Sequence, residues 1–211
     1  MAFVLPRVYP LTDVGLTGLS HAEQVRRLAR GGASLVQLRE KTSPRSEFYE
    51  SAKAAVVAAH ECGVKLIIND QADIAAAVGA DGVHLGQDDL PVAAARELLG
   101  GHAIIGLSTH NLPQAAAALE LPINYLAFGP IFSTSTKDNP APEVGLEGLR
   151  AVRKKVGDFP IVAIGGITEK NARDVIRAGA NSVAVISALL TDSEEISNKT
   201  SSLLHQLRQV V

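Results

Sequence analysis

The sequence predicts an α/β protein whose strands and helices close into a single (β/α)8 barrel, a TIM barrel. Three observations favour this class. Short apolar runs alternate with helical segments about eight times in 211 residues, and eight units are the number that closes a barrel. The runs lack the polar–apolar alternation of half-exposed strands, as expected for parallel strands covered by helices. The first unit has no GxGxxG turn, which argues against an open, doubly wound sheet.

The predicted strands are short apolar runs that stop where polar residues or glycines begin. They are Val8–Thr12, Leu35–Leu38, Val64–Ile68, Gly82–Leu85, Ala103–Leu107, Tyr125–Phe128, Ile161–Ile164 and Ser182–Ile186. No linker or low-complexity stretch divides the series, so we expect residues 1–211 to form one TIM-barrel catalytic domain.

Helix signals follow each strand. Ser20 and Glu23 have the spacing of a capping box, in which Glu23 would bond back to the N–H of Ser20, and Gly31 and Gly32 would stop that helix. Pro44 suits the first turn of the next helix. The predicted helices lie at 21–30, 44–60, 72–78, 91–99, 112–119, 146–156, 169–177 and 194–211.

Composition narrows the class of protein. Hydrophobic residues make up 46% of the chain and aromatic residues only 4%, so aliphatic side chains must build the core. The net charge of −2 indicates neither a nucleic-acid-binding nor an anionic-membrane surface. The partners that we expect are small molecules, and a homo-oligomer is compatible with the sequence.

Cysteine usage and the apolar runs indicate where the protein works. Cys62 is the only cysteine, which excludes an intrachain disulfide and favours a reducing compartment. We expect its thiol to be buried or half-buried late in a helix. Residues 1–10 do not resemble a secretory signal, and no run approaches the roughly 18 apolar residues of a membrane helix. We therefore expect a cytoplasmic protein.

Candidate ligands follow the early strands, at the barrel end where active sites lie. Arg39 and Lys41 are cations of the type that binds phosphate, although a solvated charge cluster is the simpler alternative. Asp70 is a candidate Mg²⁺ ligand or a helix N-cap. Asp88 and Asp89 follow the neighbouring strand, and spacing alone does not decide which of them would share a metal with Asp70.

The later strands add polar loops and glycines. Ser108 stands two residues from His110, but no acidic third member and no GxSxG turn support a hydrolase. Hydroxyl groups and a lysine at 133–137 suit an anion, or a polar loop. Gly165-Gly166 and Ile186-Ser187 stand after strands seven and eight, which form the recurrent phosphate site of this fold. Two phosphate regions and a carboxylate pair together indicate a transferase that uses two phosphorylated substrates and a divalent metal.

The same segments resemble the motifs of the thiamin-phosphate synthase family, in the family's order and over nearly the whole chain. They are residues 36–41 (VQLREK), 69–70 (ND), 80–89 (ADGVHLGQDD), 106–110 (GLSTH), 134–137 (TSTK) and 164–167 (IGGI). Gln71 and Ser133 depart from residues that are common in the family, and neither replaces a motif ligand.

The resemblance implies a role for each motif residue. The catalytic residues would be Ser108, Lys137 and Lys41. The ligands of the hydroxymethylpyrimidine diphosphate would be Gln37, Arg39, Lys41, Asn69, Ser108 and Lys137. The ligands of the thiazole phosphate would be Thr134, Thr136, Gly166, Ile186 and Ser187. Asp70 and Asp89 would bind Mg²⁺, which resolves the choice between the two aspartates by resemblance.

Two other functions remain open from the sequence. A thiazole tautomerase is similar in fold and sequence but lacks the Asn-Asp pair, the second aspartate and the Thr-x-Thr-Lys stretch, all of which this chain has. A non-catalytic barrel that binds a phosphorylated ligand would have no need to keep both carboxylates and both lysines.

Overall fold

A computed structural model describes residues 3–134 and 141–210, which contain eight strands and ten helices. The strands are β1 (Val8–Pro10), β2 (Leu35–Leu38), β3 (Lys65–Asn69), β4 (Gly82–Leu85), β5 (Ile104–Thr109), β6 (Tyr125–Phe128), β7 (Ile161–Ala163) and β8 (Ser182–Val185). The helices are α1 (Val14–Thr17), α2 (His21–Arg30), α3 (Arg45–Glu61), α4 (Ala72–Val78), α5 (Val92–Leu99), α6 (Leu112–Ala118), α7 (Gly145–Val156), α8 (Ala172–Arg177), α9 (Ser187–Leu190) and α10 (Ile196–Arg208).

The strands form one parallel sheet in the order β1-β8-β7-β6-β5-β4-β3-β2. A bridge between Leu11 and Gln37 joins the two ends of this order, with the Thr12 N–H donating to the Gln37 carbonyl at 2.9 Å. The predicted (β/α)8 barrel is therefore confirmed. Closure brings the carboxyl ends of all eight strands to one rim.

Two hydrophobic layers hold the barrel. The larger lies between the strands and the surrounding helices and consists mainly of Ala, Val, Ile and Leu. The smaller fills the barrel interior with Tyr9, Leu11, Leu35, Ile67, Ile104, Tyr125, Ala127, Val162 and Ala184. Two tyrosines, Tyr9 and Tyr125, are buried in the interior layer, whereas the buried Phe48 and Phe128 belong to the outer layer.

Several local predictions are corrected by the structure. The short helices α1 and α9 were not predicted, because four residues carry too little periodicity to be recognised. Cys62 follows α3 and is exposed, not buried. Ser20 does cap α2, accepting from the Glu23 N–H at 3.3 Å. The Glu23 carboxylate was predicted to accept from the N–H of Ser20. It accepts instead from the Arg27 guanidinium, one turn further along the helix, at 2.8 Å.

Strand β5 extends two residues further than predicted. Ser108 and Thr109 therefore belong to the strand, and Asn69 likewise ends β3. These residues gain rigid positions at the rim because their backbones are tied to neighbouring strands. None of the helices in the described ranges has the length and apolar character that crossing a bilayer requires.

Candidate active site

A cavity of about 840 Å³ opens at the rim formed by the carboxyl ends of the strands. Its lining includes every predicted site residue that lies in the described ranges: Gln37, Arg39, Lys41, Asn69, Asp70, Asp89, Ser108, Thr134, Gly166, Ile186 and Ser187. Thr136 and Lys137 lie outside the described residues. Residues from several strand ends and their loops, distant in sequence, thus share one chamber.

Asp70 and Asp89 face each other across the ends of β3 and β4. These strands are paired, with Asn69 opposite His84, and the Asp70 N–H donates to the His84 carbonyl at 2.7 Å. Asp89 accepts from the Gly86 N–H at 2.6 Å, which closes the turn after β4. Burial raises the pKa of Asp89, and the Asp70 carboxylate, which shares a hydrogen bond with it, raises that pKa further.

Neither aspartate caps a helix. The N-cap residues of α4 and α5 are Gln71 and Pro91, so the capping alternative for Asp70 is wrong. Asp70 has φ +63°, and among the residues described it is the only one other than glycine with a positive φ. Its backbone conformation costs free energy and turns its carboxylate toward Asp89.

The cations after β2 are held by ion pairs and by a structured loop. The Lys41 ammonium contacts the Asp70 carboxylate, and the Arg39 guanidinium lies 3.2 Å from the Asp13 carboxylate. The turn between them is organised by Glu40, whose Oε1 accepts from the backbone N–H groups of Lys41 at 2.8 Å and Thr42 at 2.7 Å. The predicted cluster is therefore an ordered group at the cavity edge.

Glu40 remains ionised because these donors outweigh its partial burial. Burial disfavours the carboxylate, but hydrogen bonds from the backbone of Thr42 and Ser43, from the Thr42 hydroxyl and from His21 bring the pKa of Glu40 down to about 2. The buried His21 ring lies between Glu40, at 3.4 Å, and the Thr12 hydroxyl, at 2.7 Å. Burial lowers the pKa of His21, and Glu40 opposes that shift.

The opposite side of the cavity is built from glycine backbone. Gly165 and Gly166 have φ values of +102° and +60°. A Cβ atom on Gly166 would lie 2.4 Å from the Ser133 carbonyl oxygen and 2.7 Å from the Phe132 Cβ. This close approach requires glycine and joins the loop after β7 to the loop after β6. Backbone exposed in this way suits a phosphate group.

A chain of polar side chains crosses the barrel at the floor of the cavity, and the sequence did not reveal it. The Gln37 amide nitrogen donates to the Tyr9 hydroxyl at 3.1 Å, and the Tyr9 and Tyr125 hydroxyls are 3.0 Å apart. Tyr125 is 3.0 Å from His84 Nδ1, and His84 Nε2 is 2.9 Å from Ser108 Oγ. The sequence feature that could have indicated this chain is a polar or aromatic residue at an inward position of an apolar strand.

His84 gives Ser108 a histidine partner, although His110 was the residue considered from the sequence. His110 Nδ1 instead lies 2.7 Å from the Gly129 carbonyl oxygen. A serine–histidine pair resembles a hydrolase dyad, but the second nitrogen of His84 meets a tyrosine hydroxyl rather than a carboxylate. Burial lowers the pKa of His84 to about 4, with the Asp70 charge raising it and the Lys41 charge lowering it less strongly. A neutral, weakly basic imidazole suits a structural hydrogen bond better than general-base catalysis.

Comparison with known proteins points to one family. A family model described as thiamine monophosphate synthase matches residues 8–189. The chain is 46% identical over 206 residues to the thiamine-phosphate synthase of Chloroflexus aurantiacus, covering 97% of this chain and 92% of that protein. It is 47% identical over 188 residues to the thiamine-phosphate synthase of Syntrophomonas wolfei, covering 89% of this chain and 90% of that protein.

A solved structure agrees with these sequences. The thiamine phosphate pyrophosphorylase from Pyrococcus furiosus has a TM-score of 0.86 against this chain at 36% sequence identity. The superposition covers 97% of this chain and 96% of that one. The likeness therefore extends over nearly the whole barrel.

Proposed function

The chain belongs to the thiamine monophosphate synthase family, and from that premise we propose how its rim residues carry out the family's reaction. The reaction condenses 4-amino-2-methyl-5-(diphosphooxymethyl)pyrimidine with 4-methyl-5-(2-phosphooxyethyl)thiazole to give thiamin phosphate and pyrophosphate. One cavity contains a carboxylate–lysine group and, apart from it, a glycine backbone cradle. This separation supports the assignment of one substrate to each side of the cavity.

The two sides suit two different phosphorylated substrates. We assign the pyrimidine diphosphate to the side of Gln37, Arg39, Lys41, Asn69 and Ser108, with Lys137, which lies outside the described residues, as a further ligand that the family implies. We assign the thiazole phosphate to the side of Thr134, Gly166, Ile186 and Ser187, with Thr136, also outside the described residues, as a further ligand that the family implies. The first side has cations and carboxylates that match a diphosphate and its metal, and the second has backbone that can approach a monophosphate closely.

Asp70 and Asp89 are the residues that would hold Mg²⁺. Carboxylate oxygens are the hard donors that this ion prefers, and two of them suffice when water and substrate phosphate complete the shell. The burial and mutual repulsion that raise the pKa of Asp89 are what a cation between the carboxylates would relieve. When bound, the ion would neutralise charge on the departing diphosphate.

The proposed chemistry needs no general base. The family resemblance implies a dissociative path, in which the bond between the pyrimidine methylene carbon and the diphosphate oxygen breaks and pyrophosphate leaves with the electron pair. The thiazole nitrogen carries no proton, so it bonds directly to the pyrimidine cation that remains. Lys41, Lys137 and Arg39 stabilise the negative charge that develops on the leaving group. Ser108 contributes a hydroxyl fixed by His84, which is 2.9 Å away.

One assay separates this function from its two rivals. The purified protein is incubated with both phosphorylated substrates, with and without Mg²⁺, and pyrophosphate is measured. We expect release that requires both substrates and the metal. A tautomerase would release none and would isomerise the thiazole carboxylate precursor without the pyrimidine, whereas a non-catalytic barrel would do neither.

A further inference from the structure

The hydrogen-bonded chain from Gln37 to Ser108 has a direction, because each hydroxyl has one proton to donate. The Gln37 amide nitrogen donates to Tyr9 at 3.1 Å, so the Tyr9 proton must go to Tyr125, its other neighbour at 3.0 Å. The Tyr125 proton then goes to His84 Nδ1. The remaining ring proton, on His84 Nε2, is donated to Ser108 Oγ. The Ser108 proton is thereby directed away from the histidine.

The hydrogen bonds of this chain can also run in the opposite direction, which exchanges the donor and acceptor roles of Gln37 and Ser108 together. If Ser108 donated to His84, each proton would shift the other way, and Tyr9 would donate to the Gln37 amide oxygen. The Gln37 amide would then have to turn and present its nitrogen to the cavity. The two ends are therefore linked: Gln37 accepts where Ser108 donates, or Gln37 donates where Ser108 accepts.

The geometry favours the first of these states. In the part of the chain that the structure describes, no donor reaches the Gln37 amide oxygen, while its nitrogen is bonded to Tyr9. Gln37 and Ser108 line the cavity, as do Tyr9 and His84. The polar atoms of Tyr9 and His84 are bonded within the chain, so it is the outer ends of Gln37 and Ser108 that meet whatever binds there. An unmatched donor or acceptor at either end would carry the cost of an unsatisfied buried group.

Packing keeps the middle of the chain in place. Tyr9 and Tyr125 are fully buried and His84 nearly so. His84, Gly106 and Tyr125 are side by side on β4, β5 and β6. A Cβ atom on Gly106 would lie 2.1 Å from the Tyr125 ring, so this glycine provides the space in which Tyr125 reaches across β5. The Tyr125 and His84 rings stack there with centroids 5.6 Å apart.

We propose that Tyr9, Tyr125 and His84 are positioning residues that set the hydrogen-bond polarity of two ligand contacts at once, making Gln37 an acceptor and Ser108 a donor. This rests on the proposed function. The only N–H donor of the pyrimidine is its exocyclic amino group, whereas its ring nitrogens are acceptors. An acceptor at Gln37 therefore selects the aminopyrimidine edge, and a donor at Ser108 suits an oxygen of the anionic leaving group.

The test is Tyr9→Phe, which removes the acceptor of the Gln37 amide without changing the ring. Calorimetry measures binding of the aminopyrimidine monophosphate and of its analogue with hydrogen in place of the amino group. We expect the wild-type protein to prefer the amino compound at least about tenfold, and Tyr9→Phe to lower that preference at least about threefold. Tyr49→Phe, on the outer helix α3, is the matched control and should keep the wild-type preference.

A second variant tests the other end. Tyr125→Phe interrupts the chain between Tyr9 and His84, so it should lower the preference for the amino compound and also reduce kcat, because the Ser108 hydroxyl is no longer directed. The KM for the thiazole phosphate should stay within about twofold in both variants, since that substrate is assigned to the other side of the cavity.

Three results would overturn the proposal. One is that both variants prefer the amino compound as strongly as the wild-type protein does and also keep the turnover of the wild-type protein. Another is wild-type protein that binds the two analogues equally, because Gln37 would then not be a fixed acceptor. The third is wild-type protein that releases no pyrophosphate from the two substrates, which removes the proposed function and this inference with it. The first two leave the proposed function standing.

Discussion

The Lys41 ammonium contacts the Asp70 carboxylate, so a proposed diphosphate ligand is paired with a proposed metal ligand. Asp70 in turn lies against Asp89. The Lys41 ammonium thus neutralises the Asp70 carboxylate at the place where we propose that Mg²⁺ and the diphosphate bind together. Binding of the metal–diphosphate unit would exchange one cation for another at Asp70 and release Lys41 toward the phosphate oxygens.

Asp70→Asn should lower turnover at least about 10²-fold, the scale seen when a major electrostatic stabiliser is lost. Asn tolerates the positive φ of this position, so the fold should survive. Initial rates over a range of Mg²⁺ concentrations measure the effect, and a higher Mg²⁺ requirement should accompany it. Asp73→Asn, three residues along on the exposed surface, is the control. Normal turnover with unchanged Mg²⁺ dependence in Asp70→Asn would refute the metal assignment.

Lys137→Ala should reduce kcat more than it weakens binding of the thiazole phosphate. The lysine is expected to meet charge that grows on the leaving diphosphate, so its contribution is larger in the transition state than in the bound substrate. Steady-state kinetics and direct titration of the thiazole phosphate give the two quantities. Lys155→Ala, at an exposed position of α7, should change neither. Equal losses of kcat and of thiazole-phosphate affinity would contradict the assignment.

Gly166→Ala should weaken binding of the thiazole phosphate at least about tenfold, because a Cβ atom would displace the loop after β6 by pushing on Ser133 and Phe132. Gly79→Ala is a matched control: Gly79 has φ +68°, but a Cβ atom added there would enter open space. Both variants carry backbone strain of about 1–2 kcal/mol. Isothermal titration should show reduced affinity for Gly166→Ala alone, and similar affinities in the two variants would argue against a glycine cradle.

Glu40→Gln should lower the free energy of unfolding by about 2 kcal/mol at pH 7, the scale of hydrogen bonds to a charged group. The folded-state pKa of about 2 is below the ordinary 4.5, so the carboxylate contributes its full stability above pH 4.5. That contribution is lost as pH falls from 4.5 toward 2. The difference between wild type and variant should therefore shrink across this window.

Urea unfolding at about pH 7, 5, 4 and 3 measures this difference. Glu50→Gln, at an exposed position of α3, is the control and should show a small, nearly constant difference. A Glu40→Gln difference that does not depend on pH would show that the donors around Glu40 do not favour its charged form.

The alternation of strands and helices was readable from the sequence because it depends on local patterns. Apolar runs, the Ser20 cap and the proline at position 44 identify elements from a few neighbouring residues. The end of β5 was not readable in this way, since Ser108 joins the strand through bonds to another strand rather than through its own propensity. The exposed Cys62 was misjudged because burial depends on what packs over a helix end.

For the site, the sequence by itself determined which chemical groups stand at the strand ends: carboxylates after β3 and β4, cations after β2 and glycines after β7. Only the tertiary structure decided that Asp70 turns toward Asp89 and not into a helix cap, and that Lys41 reaches it. It also decided the buried chain through Tyr9 and Tyr125, which lie 116 residues apart. Such contacts depend on barrel register and on the space left at Gly106, and neither is encoded in any short stretch of sequence.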